Sequence, residues 1–374
     1  MDIDDFAARF DEEPGYLDFA RVGPIGRTVQ EETAAQVGLL THARFGSLDE
    51  LLTGQDERSR RAIGALVGRD ADHVVFQPNT SQGLMHAMFG ITGGVLLSPA
   101  EFPSLPFAAT RAAQSLGALE PRWLEAEHGK ITPGTIREQL DDDVAAVAVS
   151  LVDYRTGYLI DLEGIRQVIG DRLLVVDAIQ GFGVVDAPYE VADVVASGGQ
   201  KWVRAGWGTG FLALSDRAVE RLAPVWSGFN ATGDGEMPVD EVPDPERSAK
   251  AFQVSNPDPV GQARMSAALE EIASVGVAAI SARVAEGVSR VIDLADEFAI
   301  PISSPRAVAE RAGIAVLRPE PEELTVLAAA LHNHGVTVTG RDGAIRVSVH
   351  ASTTEETLGM LRAAFVSFAT AAGR

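Results

Sequence analysis

Two residues of this sequence have the chemistry and the setting of a catalytic pair. Lys201, one of only three lysines in the chain, ends the segment Ser197-Gly-Gly-Gln-Lys201, just after an apolar run. Asp177 directly follows another apolar run, at 173–176. An amine that can form a Schiff base and a carboxylate that can keep a pyridine nitrogen protonated are what pyridoxal phosphate chemistry requires. The pair therefore predicts a pyridoxal 5'-phosphate site with Lys201 and Asp177 as catalytic residues.

Each of these residues alone has a simpler interpretation. A lysine near a strand end is usually a solvated surface residue, and an aspartate after a strand is often a helix cap. The scarcity of lysine and the glycines around position 201, which let a backbone approach a ligand closely, favour the catalytic interpretation. An unpaired aspartate after an apolar run would also be costly in a core.

A hydroxyl-bearing helix start predicts the phosphate-binding part of the same site. Asn79-Thr80-Ser81 follows an apolar run, and Gln82 stands where a capping box places an amide. The free N–H groups at a helix amino terminus favour a phosphate dianion. An ordinary capped helix is the better interpretation of this segment alone, but the amine and the carboxylate found elsewhere in the chain favour phosphate binding.

Two further side chains could complete the site. Phe102 follows the apolar run 94–98 and could stack on a planar ring, although a core aromatic is an equally good interpretation. Arg346 lies inside an apolar run, where a half-buried guanidinium needs an anion, either a substrate carboxylate or an internal carboxylate. No metal site is predicted, because the chain has no cysteine and His332 and His334 would not share a helix face.

Seven short apolar runs alternate with amphipathic stretches in the first two thirds of the chain. Uninterrupted apolar runs are typical of strands buried on both faces. The pattern therefore predicts an α/β fold with a seven-stranded, mostly parallel sheet covered by helices. The expected strands are 74–76, 94–98, 121–124, 145–150, 173–176, 194–197 and 210–214.

The rest of the chain predicts a second, smaller domain. Residues 227–260 are rich in glycine and proline and are expected to form a long loop. Two helices are expected after it, at 261–275 and 278–298, followed by strand, helix, strand and helix in a small C-terminal α+β domain. The expected domains are an N-terminal arm at 1–20, a large α/β domain at 21–255 and the small domain at 256–374.

Composition limits the partners that this chain could have. Its 53 acidic and 31 basic residues give a net charge of −22, which repels nucleic acid and anionic membranes, so neither is predicted as a partner. The absence of cysteine excludes disulfides and a cysteine nucleophile. No secretory signal and no apolar run of ~20 residues is present, so a cytoplasmic enzyme is expected.

With these residues assembled, the chain resembles the class V aminotransferase superfamily of pyridoxal-phosphate enzymes, from about residue 15 to 370. This group includes cysteine desulfurases, kynureninase, isopenicillin-N-epimerase-like proteins and C–S lyases. Asp177-x-x-Gln180 is similar to the family's D-x-x-[QH] motif, and the segment from Ser197 to Lys201 is similar to its S-G-x-K motif. The resemblance implies that Asp177 contacts the pyridine nitrogen, that Gln180 lies near the ring hydroxyl, that Ser197 binds the cofactor and that Lys201 forms the Schiff base.

Further motifs extend the resemblance. Residues 79–81 match the family's phosphate-binding turn, and Phe102 falls at its ring-stacking position. Residues 252–257 are similar to F-E-x-G-T-P, which implies that Asn256 lies near the phosphate of a neighbouring subunit. Arg346 matches the carboxylate-binding arginine of R-x-S-x-H. The resemblance implies fold type I and a homodimer with its active site at the subunit interface.

One departure concerns the cofactor ring. The segment 150–157 is similar to S-x-V-N-Y-x-T-G of the kynureninase branch, but Asp153 stands where an asparagine is usual, close to the expected ring oxygen. Two anions there would repel each other. Asp153 is therefore expected to be protonated, to point away, or to mark a different local register.

The resemblance also implies a mechanism. An amino acid is held by Arg346 through its carboxylate, and Lys201 moves the proton at Cα. Transamination of a small amino acid is the predicted reaction, with C–S β-elimination and epimerisation as alternatives on the same scaffold. A cysteine desulfurase is not expected, because no persulfide-forming cysteine is present. A non-catalytic protein that binds pyridoxal phosphate is disfavoured because Lys201, Asp177 and Arg346 are all retained.

Overall fold

A seven-stranded sheet forms the centre of the computed structural model, which describes residues 1–42, 44, 46–126, 129–232 and 240–373. Its strand order is β3-β2-β4-β5-β6-β7-β1, and all neighbours are parallel except β7, which is antiparallel to both β6 and β1. The strands are β1 (Val74–Gln77), β2 (Gly93–Leu97), β3 (Leu119–Trp123), β4 (Val144–Ser150), β5 (Leu173–Asp177), β6 (Val194–Gly198) and β7 (Gly210–Leu214). The predicted seven-stranded, mostly parallel sheet is confirmed.

Alternate side chains of the central strands face opposite sides of the sheet. In β4, Val147 and Val149 join the hydrophobic core on one side, whereas Ala146 and Ala148 join the core on the other. Every residue of β5, β6 and β7 is buried. The sheet is therefore covered on both faces, which explains why its strands appear in the sequence as uninterrupted apolar runs.

Helices cover the sheet and continue through the C-terminal part. Helix α5 ends at a left-handed Gly117, where an L side chain would be strained, and it matches the amphipathic stretch seen in the sequence. The helices are α1 (Ile3–Ala7), α2 (Arg27–Thr41), α3 (Ser47–Val67), α4 (Thr80–Gly90), α5 (Ser104–Leu116), α6 (Pro133–Gln139), α7 (Leu162–Ile169), α8 (Asp216–Arg221), α9 (Pro259–Val275), α10 (Val277–Glu297), α11 (Leu324–Asn333) and α12 (Glu355–Ala372).

The C-terminal part adds a second sheet. Strands β8 (Ile314–Leu317), β9 (Thr339–Arg341) and β10 (Ala344–Ser348) are antiparallel, in the order β8-β10-β9. Helix α12 packs against α10 and α11, and α10 also contacts β8. This is the small α+β unit that the sequence predicts, with β9 as an additional short strand.

The segments around the predicted domain boundaries make long-range contacts. Tyr16 and Asp18, in the N-terminal arm, form bridges with Thr337 and Ser348 of the C-terminal part. Helix α9, which follows the expected boundary at 255, packs against α2 and α3. The boundaries at residues 20 and 255 stay predictions.

The glycine- and proline-rich segment is mostly irregular. Two short 3-10 turns, Phe229–Ala231 and Ala249–Phe252, lie within it, and residues 233–239 of the expected loop lie outside the described residues. In the part of the chain that the structure describes, no single helix is both long and apolar enough to cross a membrane. Among the described residues, α9 and α10 taken together reach that length and composition, and their axes are bent by 84°.

Candidate active site

The carboxyl ends of β4, β5 and β6 lie side by side at one edge of the sheet. Ser150 pairs with Asp177 across β4 and β5, and Asp177 pairs with Ala196 across β5 and β6. Lys201 follows shortly after the end of β6. Because the ends of parallel strands meet at one edge, residues far apart in sequence form a single site there.

Asp177 is buried with one oxygen left without a partner. Its side chain is 2% exposed, and its Oδ1 accepts a hydrogen bond from the backbone N–H of Ile179 at 3.0 Å. Its Oδ2 has no hydrogen-bond partner among the described residues. Burial raises the pKa of this carboxyl to about 6, while the Ile179 N–H and Lys201 act in the opposite direction.

Lys201 is also buried, at 8% exposure, and its amine lies 5.3 Å from the centre of the Phe102 ring. Burial lowers its pKa to about 8; Asp177 opposes this shift, and Arg346 and Arg341 add to it. Near neutral pH, a larger share of this amine is therefore neutral than in an ordinary lysine. The neutral amine is the form that acts as a nucleophile and as a base.

Hydroxyl groups surround the amino end of α4 and the end of β6. Thr80 Oγ1 and Ser197 Oγ are buried and have no hydrogen-bond partner among the described residues. Asn79 caps the helix by accepting the N–H of Gln82 at 3.0 Å, as predicted. The hydroxyl of Ser81 is hydrogen-bonded to that of Ser104 at 2.7 Å.

These unpaired atoms fit the predicted cofactor. Buried polar atoms are rarely left without a partner, so Asp177 Oδ2, Thr80 Oγ1 and Ser197 Oγ together indicate a bound group. An acceptor suits a protonated pyridine nitrogen, and hydroxyl donors suit phosphate oxygens. The Thr80 hydroxyl would lie 3.0 Å from a Cβ placed on Gly198, so the glycine keeps this part of the site open.

Phe102 and Arg346 stand near Lys201, as expected from the sequence. The Phe102 ring packs edge-on against Tyr154, with 5.3 Å between the ring centres. Arg346 donates from Nη1 to the backbone oxygen of Tyr154 at 3.2 Å, and its Nη2 lies 3.8 Å from Asp18. The Nε of Arg346 has no partner among the described residues. The guanidinium thus has a distant internal counter-ion and a free donor for a ligand.

The other predicted cofactor contacts have partners within the chain. Gln180 donates to the backbone oxygen of Ala20 at 2.9 Å and accepts the indole N–H of Trp202 at 2.8 Å, so both ends of its amide are engaged. Asn256 is exposed and accepts a hydrogen bond from Asn230. The expected roles of Gln180 at the ring oxygen and of Asn256 at a partner's phosphate stay predictions.

Asp153 is neutralised in a way that its sequence position did not suggest. Its carboxylate accepts the backbone N–H of Arg155 at 2.7 Å, and it pairs with the Arg155 guanidinium at 3.2 Å. The expected repulsion between Asp153 and a ring oxygen is therefore offset by a cation two residues away. The contact of Asp153 with the cofactor stays a prediction.

Three residues near the site were not among the sequence candidates. Glu101 accepts hydrogen bonds from the N–H and the hydroxyl of Ser150, and burial raises the pKa of Glu101 to about 7. Asp18 accepts the Thr339 hydroxyl at 2.7 Å beside Arg346. Arg341 acts electrostatically on Lys201 from β9. Only Asp18 had a local signal, because it stands between two apolar residues in the sequence.

No group of three or more histidine, cysteine, aspartate or glutamate side chains is placed to hold a metal ion within the described ranges. The site therefore consists of a buried amine, a buried carboxylate and hydroxyl donors at the carboxyl edge of the large sheet, and of arginines from strands β9 and β10 of the small sheet. This combination of fold and site is that of a fold type I pyridoxal-phosphate enzyme.

Comparison with known proteins identifies the family. The chain belongs to the aminotransferase class-V family, whose model matches residues 29–373. The cofactor of this family is pyridoxal 5'-phosphate, and the resemblance stated from the sequence is confirmed.

Two curated proteins illustrate the relationship. A probable cysteine desulfurase of Pyrococcus abyssi is 23% identical over 307 residues, which cover 79% of this chain and 76% of that protein. A kynureninase of Deinococcus radiodurans is 28% identical over 270 residues, which cover 68% of this chain and 64% of that protein.

Solved structures share the fold. The cysteine desulfurase of Thermococcus onnurineus has a TM-score of 0.80 at 21% identity, covering 93% of both chains. The cystine C–S lyase C-DES, in complex with its product cysteine persulfide, has a TM-score of 0.84 at 17% identity, covering 94% of this chain and 97% of that one.

Proposed function

We propose that this chain catalyses transamination of a small amino acid, with Lys201 as the group that takes up and returns the proton. The observation that supports this most directly is the buried Lys201 amine, whose pKa is lowered to about 8 beside the half-satisfied carboxylate of Asp177. When bound, pyridoxal phosphate supplies an electron-withdrawing ring that makes the Cα–H of an attached amino acid acidic.

Different residues of the site would bind different parts of the cofactor and the substrate. Asp177 offers Oδ2 to the pyridine nitrogen, and the Thr80 and Ser197 hydroxyls offer donors to the phosphate. Phe102 supplies an aromatic face near the amine. Arg346 has a free donor for the substrate carboxylate, and this contact would orient the substrate relative to Lys201.

Transamination needs a group that takes the proton from Cα and returns it. The ionisable groups that act on Lys201 are Asp177, Asp18, Arg346 and Arg341. Asp177 has its predicted role at the ring nitrogen, Asp18 is held by Thr339, and arginines stay protonated. Lys201 Nζ, with its lowered pKa, can hold the proton taken from Cα and return it.

A second candidate, β-elimination, is supported by the relatives. Kynureninase, cysteine desulfurases and a cystine C–S lyase are among the proteins that this chain resembles. The same Lys201 could remove the Cα proton before a β-substituent leaves. Persulfide transfer through a cysteine of this chain is disfavoured, since the sequence contains none.

Product analysis separates these reactions. Cofactor-loaded protein is mixed with single amino acids, with and without a keto acid. Transamination is expected to give pyridoxamine phosphate and a new amino acid, whereas β-elimination would give pyruvate and ammonia. Borohydride trapping followed by peptide mass spectrometry is expected to label position 201.

A matched pair of lysine variants supplies the control. Lys201→Ala is expected to lose both activity and trapping, whereas Lys130→Ala, at an exposed lysine paired with Glu310, should keep both. Activity that survives in Lys201→Ala would refute the proposed function.

We also infer a homodimer. Asn256 and Trp207 are exposed in the single chain, Trp207 at 66% of its surface. Tryptophan is enriched at protein interfaces relative to the rest of the surface, which makes Trp207 a candidate for the subunit contact. Light scattering is expected to give twice the chain mass, and Trp207→Ser should shift the equilibrium toward monomer; a monomeric wild type would overturn this inference.

A further inference from the structure

A cavity beside the candidate active site concentrates positive charge in a strongly acidic chain. Its lining includes Tyr154 and four arginines, Arg155, Arg318, Arg341 and Arg346. The chain as a whole carries a net charge of −22, so the local sign is opposite to the overall one. A cavity of this kind attracts anions.

Only part of this positive charge is neutralised within the protein. Arg155 pairs with Asp153 at 3.2 Å, and Arg346 has Asp18 at 3.8 Å. Arg318 makes no ion pair within the described ranges of the chain, and the same holds for Arg341.

One carboxylate shares the cavity with these arginines. Asp342 also lines it, but it is exposed and forms no ion pair with Arg318 or Arg341 among the described residues. The two arginines therefore remain free to bind a ligand.

Two packed aromatic rings, Tyr154 and Phe102, connect the cavity to Lys201. The Arg341 guanidinium stands 5.8 Å from the centre of the Tyr154 ring, which packs edge-on against Phe102. The Lys201 amine lies 5.3 Å from the other ring of this pair, Phe102. Arg346, the predicted carboxylate-binding residue, lines the cavity as well. A substrate whose α-carboxylate is held by Arg346 would therefore have its side chain beside the free arginines that line the same cavity.

We propose that the substrate carries a second anionic group on its side chain, a carboxylate or an oxidised sulfur acid, which Arg341 and Arg318 bind. Arg346 then binds the α-carboxylate, and the two anchors fix the direction of the substrate across the site. Guanidinium groups suit both kinds of anion, because their parallel N–H donors match paired oxygens. This inference rests on the proposed function, since it assumes that the substrate is an amino acid.

Matched substrates test the proposal. Cofactor-loaded enzyme is assayed with aspartate against asparagine, glutamate against glutamine, and cysteine sulfinate against cysteine. The acidic member of at least one pair is expected to have the higher kcat/KM. Arg341→Gln and Arg318→Gln should each lower the acidic-to-neutral ratio about two- to fivefold, as expected for an exposed guanidinium–carboxylate contact. Arg137→Gln, an exposed arginine on α6 with the same charge change, should leave the ratio unaltered.

Ligand binding gives a readout that does not depend on turnover. Calorimetry on the cofactor-loaded protein is expected to show that succinate binds more tightly than butyrate, which lacks the second carboxylate. Arg341→Gln should weaken succinate binding and leave butyrate binding unchanged.

The outcomes distinguish this inference from the proposed function. If no amino acid is turned over, the proposed function fails, and the comparison of succinate with butyrate still decides the role of the arginines. If neutral substrates match or exceed their acidic partners and Arg341→Gln leaves the ratio unchanged, the second anionic group is refuted while the proposed function stands.

Discussion

Replacing Asp177 with asparagine should make the cofactor-free protein more stable. Asparagine keeps the shape of the side chain and an oxygen that can accept the Ile179 N–H. It removes a charge that is buried at 2% exposure and whose second oxygen has no partner among the described residues. We therefore expect Asp177, the predicted partner of the pyridine nitrogen, to destabilise the protein when the cofactor is absent.

The size of the effect follows from the pKa of this carboxyl. Burial raises the pKa from 3.8 to about 6, so the folded protein binds this proton more tightly than the unfolded chain does. The destabilisation by ionisation is absent below pH 3.8, grows between pH 3.8 and about 6, and is complete above that range. At about 1.4 kcal/mol per pH unit, Asp177→Asn should raise the free energy of unfolding by about 3 kcal/mol at pH 8 and by about half of that at pH 5.

Urea unfolding of the cofactor-free protein at both pH values measures this difference. Asp193→Asn is a matched control, because it makes the same substitution at another buried aspartate, which lies directly before β6. Asp193 pairs with Arg166 at 2.7 Å and accepts the N–H of Leu174 at 2.9 Å. Removing its charge leaves a half-buried cation unpaired, so this variant should lose about 2–4 kcal/mol.

Two results would contradict the reasoning. One is an Asp177→Asn protein that is less stable than wild type at pH 8, and the other is a difference that does not change with pH. Added pyridoxal phosphate supplies a further check, because it should stabilise the wild type more than Asp177→Asn, which lacks the anionic acceptor for the pyridine nitrogen.

Three other predictions follow from the same site. The neutral fraction of Lys201, with its pKa of about 8, rises from about a tenth at pH 7 to about nine tenths at pH 9, so cofactor capture followed by borohydride trapping should become about tenfold faster. Glu12→Ala should lower the free energy of unfolding by about 3 kcal/mol in urea titration, because it leaves Arg204 buried without its carboxylate. Gly210→Ala should reduce both stability and cofactor affinity, measured by melting and by fluorescence titration, because its Cβ would stand 2.8 Å from the Ser197 backbone oxygen.

The sheet and the central pair of the site could be predicted because their signals are local. Strands buried on both faces appear as apolar runs, and a charged residue at the end of such a run is visible without any tertiary information. Asp177 and Lys201 are of this kind. Asn79 is another, since a helix cap depends on residues within one turn.

The rest of the site depends on contacts that a single sequence does not display. Asp18 accepts a hydrogen bond from Thr339, 321 positions away, and only the packing of the arm against the C-terminal sheet brings them together. Arg341 belongs to a three-residue strand with no periodic pattern to mark it. In the sequence, Asp153 is an unfavourable departure from the asparagine of the related motif, because the sequence does not show that Arg155 pairs with it.

Contacts with the N-terminal segment also explain how the loop that carries the buried Lys201 is held in place. The backbone oxygen of Gln200, beside Lys201, accepts the N–H of Gly23, just after the arm, at 2.8 Å. Arg204, in the same loop, pairs with Glu12, donates to Ser352 at 2.8 Å and stacks on the ring of Phe10. These contacts fix the loop from residues far away in sequence. We therefore expect that loosening the arm would let water reach the Lys201 amine and return its pKa toward the ordinary value.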